Sequence, residues 1–245
     1  MISIEKGGDR ILKNTFKPET ILGYIPKILQ AFPVTMEILF VSLIVSLIIG
    51  VLVARLSLSN EKWQKKIAQF YISFMRGIPT LVLIFLIYLG LPQLALSFGI
   101  NMSKISKITF IIICLSLGSS ANMAEMMRTS YLAVDKGQRE AAYSVGMKGF
   151  AAFYRIILPQ AFAIAIPTLG NNIIILFKET SLAFSISVID LMGKARAISS
   201  ASYGANKLEV YIAAGIVFWI ICIILENLSK FFEKIYTKSR KKVAI

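Results

Sequence analysis

The sequence predicts an all-α membrane protein with about five transmembrane helices, and three observations predict it. Of 245 residues, 56% are hydrophobic and only 16% charged, and the mean hydropathy is +0.72; soluble domains are nearer half apolar and carry about a quarter charged residues. The apolar residues come in runs long enough to cross about 30 Å of hydrocarbon as helices. The Lys and Arg residues, which leave a net charge of +14, bracket those runs instead of gathering on one face. That is how spans are flanked, and it argues against a nucleic-acid partner.

What is missing narrows the chemistry. The chain has no His, so imidazole bases, His triads and His-ligated metal are excluded. Its two cysteines, Cys114 and Cys222, lie inside apolar runs and read as packing residues, with no metal site and no disulfide frame. No Gly-x-x-x-x-Gly-Lys-Ser/Thr loop is present, so the chain is not expected to be an enzyme that hydrolyses ATP itself. No cleavable signal peptide is visible.

In chain order, residues 1–32 are basic and partly apolar. Ile21, Leu22, Tyr24, Ile25, Ile28 and Leu29 recur at near-helical spacing, which predicts an amphipathic helix at the membrane surface. Residues 33–230 form the membrane domain. Pro33 precedes a first span over Val34–Ala54, followed by a basic loop with Trp63 as interfacial anchor. Arg76-Gly77-Ile78-Pro79 opens a second span reaching Phe98, with a bend expected at Gly77 and Pro79.

The third span starts at Ile108 and turns polar after Leu117, with Gly118-Ser119-Ser120-Ala121-Asn122 and then Glu125 and Arg128. Glu125 and Arg128 are three apart and can pair on one helix face, as a plain ion pair or as a gate. The fourth span, Ala161–Phe177, carries Pro167, Gly170, Asn171 and Asn172 and is closed by Lys178 and Glu179, a second candidate gating or ion pair. Ser181–Lys207 predicts a short outer helix and loop. The last span is Val210–Leu228, and residues 231–245 form a basic tail. That tail places the C-terminus in the cytoplasm, together with the segment 135–160.

The segment 135–160 cannot itself cross a bilayer. It reads Glu140-Ala141-Ala142, three residues, Gly146, nine residues, Ile156, one residue, Leu158-Pro159. Two short helices are expected, broken near Gly146 and stopped before Pro159. This spacing resembles the EAA loop of the membrane subunits of bacterial ATP-binding-cassette (ABC) importers. Arg76-Gly77-Ile78-Pro79 and Lys178-Glu179-Thr180-Ser181-Leu182 are similar to the polar amino-acid permeases, the histidine, glutamine and cystine type, over roughly 33–228.

The resemblance implies a type I importer transmembrane domain with segment 135–160 as coupling helix. Glu140, Ala141, Ala142, Gly146, Leu158 and Pro159 would engage an ATPase. The implied partners are two copies of that ATPase, a second permease subunit (a like or a sister chain), an extracytoplasmic solute-binding protein, the amino-acid substrate and the lipid bilayer. The implied cofactors, ATP and Mg, belong to the ATPase and not to this chain.

Polar or broken positions at mid-depth are the substrate-pathway candidates: Asn122, Asn171, Asn172, Gly77 and Pro79. Relatives that carry basic amino acids often have Glu where this chain has Asn172, so a neutral zwitterion is favoured. Ser181-Leu182-Ala183-Phe184 and Phe32-Pro33-Val34-Thr35 resemble the cystine-importing branch. The alternative is a secondary transporter driven by an ion gradient, for which internal repeats and mid-membrane acids are expected; no repeat is found, and the acids fall near predicted span ends.

Overall fold

A computed structural model describes residues 16–241, and among these all regular structure is helical. Five helical stretches are long and apolar enough to cross a membrane: Phe32–Ser57, Thr80–Ser97, Lys107–Leu132, Gly149–Ile186 and Lys207–Tyr236. Residues 1–15 of the predicted N-terminal segment and 242–245 of the predicted tail lie outside the described residues.

Helix α1 (Ile21–Leu29) turns its apolar face onto later helices: Ile28 is fully buried, and Ile21, Tyr24 and Ile25 pack on the same core. Helix α2 (Phe32–Ser57) encloses the predicted first span, with Pro33 in its first turn, where no helical N–H is needed. Helix α3 (Lys62–Gly77) is amphipathic and packs on α2 and on α6 (Lys107–Leu132). The Tyr71 hydroxyl pins it there, 3.1 Å from Leu117 O and 2.7 Å from Ser120 Oγ.

The chain then breaks. Ile78 and Pro79 are extended (ψ 130° and 134°), as expected of a residue held out of the α region by the proline after it. Helix α4 (Thr80–Phe85) runs through a π turn, Leu86–Gly90, into α5 (Leu91–Ser97). Helix α6 is continuous where the sequence turns polar; its N-terminus is capped by Ser106, whose Oγ accepts the Thr109 N–H. Helices α7 (Lys136–Ser144) and α8 (Gly149–Ala152) make a knob at the end of α6.

The expected stop before Pro159 is not found. A π turn, Phe153–Ile157, joins α8 to α9 (Leu158–Thr180) in one helical rod. The Leu158 N–H donates to Phe153 O, one residue farther back than in an α-helix. The widened turn makes room for a ring that has no N–H to give. Leu91-Pro92 stands at the same spacing after the π turn in the second span, with the Leu91 N–H donating to Ile87 O.

The rod also passes the predicted end at Phe177. It continues through Glu179 and a 3₁₀ turn, Ser181–Ile186, toward α10 (Leu191–Ala201). Helix α11 (Lys207–Lys241) returns along α9 and runs beyond Leu228 without a break.

Contacts define the two ends of the bundle. The Leu191 N–H donates to Thr35 Oγ1 (3.0 Å), tying the starts of α10 and α2 together at the end away from the knob. The rings of Phe162 and Tyr236 meet edge to face at 5.5 Å, so the far part of α11 lies at the knob end.

Two features generate tests. A Cβ on Gly170 of α9 would overlap Ser229 Oγ of α11 and sit 2.6 Å from Ser229 Cβ, whereas one on Gly215 meets nothing within 4 Å. Gly170→Ala therefore wedges the two helices apart and costs about 1–3 kcal/mol. Thermal unfolding in detergent should show a lowered Tm for it and none for Gly215→Ala.

Asp190 caps α10 by accepting from Gly193 N (2.9 Å) and Met192 N (3.2 Å). Burial pushes its carboxyl up to about 6 against those two donors. A carboxyl raised by folding contributes fully below its ordinary value of 3.8 and loses that contribution as pH rises through about 6. The Tm should fall over that window, and Asp190→Asn, which keeps the acceptor without the charge, should flatten the profile.

Candidate functional site

Two regions gather the residues singled out in the sequence. The first is the knob. The Asp135 side chain opens α7 by accepting the Gly137 N–H at 2.6 Å. Its C-terminus is a Schellman turn: Gly146 N–H donates to Tyr143 O (2.9 Å) and Met147 N–H to Ala142 O (3.1 Å). The turn needs Gly146 in the left-handed region, and its φ is +78°.

The knob is fastened to the bundle by its inner face. Val134, Ile157 and Ala161 form a small core with Tyr131 and Phe153 around it. The Arg139 guanidinium bonds the Tyr131 hydroxyl and lies over its ring, and Gln160 Nε2 donates to Gln138 Oε1 at 3.1 Å. Ala142 is buried in the subunit, so of the two small residues only exposed Ala141 is open to a partner.

The outer face is apolar and unusually exposed for such side chains. Val145 and Phe150 are each 76% accessible, with Tyr143 and Tyr154 beside them. Glu140, Leu158 and Pro159 are exposed as well, and the Glu140 carboxylate has no partner among the described residues. This surface joins an apolar patch to a carboxylate with no partner among the described residues.

The second region is a polar seam between α6 and the α3–α4 break. Asn122, Glu125 and Arg128 are spaced by three along α6 and share one face. The Arg128–Glu125 pair forms as expected and is bidentate, at 2.6 and 2.9 Å. Gln69, Ser73 and Arg76 face it from α3.

Two cavities lie along the seam. One of about 580 Å³, at the knob end, is lined by Ser57, Gln69, Ser73, Arg76, Glu125 and Arg128. The other, about 150 Å³ and deeper, is lined by Arg76, Ile78, Thr80, Gly118, Asn122 and Glu179. Thr80 Oγ1 donates to Glu179 Oε1 at 2.9 Å across the second cavity.

The candidates therefore divide. Gly77 lines the larger cavity, Pro79 sets the break beside the smaller one, and Asn122 and Glu179 line the smaller one. Glu179, expected to close a span, sits inside the bundle. Lys178 is exposed and forms no ion pair with Glu179 among the described residues.

Asn171 is exposed. Asn172 points its Nδ2 at the sulfurs of Met123 and Met126, both 3.9 Å away, and lines neither cavity. Sequence reasoning passed over Thr80 and the α3 residues. The signal for the latter was present, since Gln69, Ser73 and Arg76 stand at i, i+4 and i+7 in an otherwise apolar stretch.

Comparison with known proteins agrees with this architecture. Residues 46–238 match the family described as "Binding-protein-dependent transport system inner membrane component". The chain is 40% identical over 225 residues to "Probable amino-acid permease protein YxeN" of Bacillus subtilis, covering 92% of this chain and 98% of that one. It is 36% identical to "L-cystine transport system permease protein TcyL" of the same organism, covering 95% and 96%.

Among solved structures, "Crystal structure of an amino acid ABC transporter with histidines" superposes with a TM-score of 0.79 at 32% identity, over 90% of this chain and 99% of that one. A methionine ABC transporter in an inward-facing conformation, at 17% identity and a TM-score of 0.69, shares the fold. The resemblance to the polar amino-acid permeases is borne out by these relatives. The chain belongs to the family of binding-protein-dependent transport system inner membrane components and is a multi-pass permease subunit with the type I fold of ABC importers.

Proposed function

We propose that this permease subunit carries a neutral polar amino acid from a solute-binding protein into the cytoplasm by alternating access, driven by ATP hydrolysis on a separate subunit. The observation that carries the reading is mechanical. One continuous helix, Gly149–Ile186, begins in the knob beside Phe150 and ends beyond Glu179 in the cavity wall. A push on the knob is delivered to the cavity by a rod with no loop to absorb it.

The exposed face of Tyr143, Val145 and Phe150, with the free Glu140 carboxylate, is the docking surface for an ATPase. Two copies of that ATPase, holding ATP and Mg, act on two permease subunits, either two of this chain or this chain and a sister. The knob end is cytoplasmic, because the basic far part of α11 lies at the same end.

A neutral substrate accords with the uncharged Asn172, which stands against two sulfurs outside both cavities where basic-amino-acid carriers often place Glu. TcyL is named for L-cystine and the related "Arginine transport system permease protein ArtQ" of Bacillus subtilis for arginine. Cystine is accordingly one substrate of the proposed class, supported by the 36% identity to TcyL. The ion-gradient alternative is disfavoured by the family, whose name specifies binding-protein-dependent transport.

The test is uptake of labelled amino acids by proteoliposomes holding this chain, its ATPase and the binding protein. Uptake should require internal ATP. Gly146→Trp breaks the turn that shapes the docking face and should lower uptake more than 10-fold while the bundle keeps its Tm, since Gly146 is exposed; Gly146→Ala, strained by about 1 kcal/mol at positive φ, should fall between. Normal coupled uptake by Gly146→Trp would contradict the docking role.

A further inference from the structure

Arg76 is the one residue among those named above that lines both cavities. Its guanidinium makes no hydrogen bond or ion pair among the described residues. A basic residue is favoured at a helix C-terminus by the dipole, and that accounts for its position at the end of α3. The dipole does not account for an exposed guanidinium with no hydrogen bond among the described residues, set between two polar cavities, with the Glu125 carboxylate near enough to feel its charge. The neighbouring Arg128 has its carboxylate, at 2.6 Å.

The complementary group lines the same smaller cavity. Glu179 takes one hydrogen bond, from Thr80 to Oε1, and its Oε2 has no partner among the described residues. The cavity thus presents a guanidinium with no hydrogen bond among the described residues, a half-satisfied carboxylate and the Asn122 amide around about 150 Å³. Drug-sized ligands take pockets of about 300 to 1,000 Å³; at about 150 Å³ this one has room for the α-head of an amino acid and little more than a short side chain. The cavity of about 580 Å³ on the other side of Arg76 is large enough for the remainder.

We propose that the smaller cavity binds the zwitterionic head of an α-amino acid, with Arg76 donating to the α-carboxylate and Glu179 accepting from the α-ammonium. The side chain extends past Gly77 into the larger cavity, where Ser57, Gln69 and Ser73 offer neutral polar contacts. Arg76 is then the specificity residue for a free carboxylate, and its place between the cavities lets it keep that contact as the substrate moves toward the knob end. The assignment rests on the importer reading.

Equilibrium binding of labelled L-glutamine, L-serine and L-cystine to the nucleotide-free complex in detergent, without binding protein, isolates the site from upstream selection. In the wild type, the α-amide of a bound amino acid should compete at least 10-fold more weakly than the free acid. Arg76→Gln should weaken the free acid by about 10- to 100-fold, the worth of a charge-assisted contact, and make acid and amide equal; Arg76→Lys should recover part of the difference. Glu179→Gln should instead abolish discrimination against the N-acetyl derivative, a readout that a loss of folding does not produce.

Arg76→Gln that keeps the preference for acid over amide overturns the proposal. So does a wild-type complex that imports with ATP yet binds none of the three probes, and in that case the importer reading stands. A complex that imports with its ATPase absent overturns the importer reading itself.

Discussion

Within hydrocarbon, every backbone N–H and C=O must find its partner inside the same segment, because no water is there to supply one. Much of this fold is a set of answers to that constraint at positions where the sequence makes it hard to meet. Pro33 is placed in a first turn, where its lack of an N–H is harmless. Pro92 is preceded by a π turn that opens the ladder ahead of the ring, and Pro159, at the knob where the rod begins, is preceded by another. At Ile78-Pro79 the ladder is interrupted outright, and the interruption borders a polar cavity. Irregular backbone in a span is tolerated where it faces protein or a polar space, and the break at Ile78-Pro79 meets that condition.

The same constraint explains how knob and cavity come to be joined. Had Pro159 ended a helix, a loop would separate the docking surface from the bundle, and movement of one would be lost before reaching the other. The π turn keeps the rod whole from Gly149 to Ile186. Tight packing on α11 at Gly170 holds the rod sideways, and the Schellman turn at Gly146 fixes α7 against its start. The proposed docking face, the rod and the cavity wall are three parts of one helix and its supports.

The local features were legible in the sequence. Hydropathy located the spans of α2, α6 and α11 to within a few residues of their apolar cores, and the i, i+3 spacing foretold the Glu125–Arg128 pair. The EAA spacing marked the knob and its glycine turn. Three details escaped the sequence for physical reasons. Proline usually stops a helix, and nothing local announces a π turn that spares it. Glu179 follows Lys178 in sequence, but its partner Thr80 is 99 residues away, a pairing that only tertiary packing reveals. Ala141 and Ala142 look alike as letters; the helix register turns one outward and the other into the subunit.

The central claim is that the knob's exposed face is gripped by an ATPase on the cytoplasmic side. It is tested most directly by placing a photo-crosslinking amino acid at Val145, at the centre of that face, and irradiating the assembled complex in its own membrane. The account predicts a single strong crosslink to the ATPase, with no reaction of that site with reagents added outside the cell. Crosslinks to lipid or to the solute-binding protein alone, or labelling from outside, would contradict it.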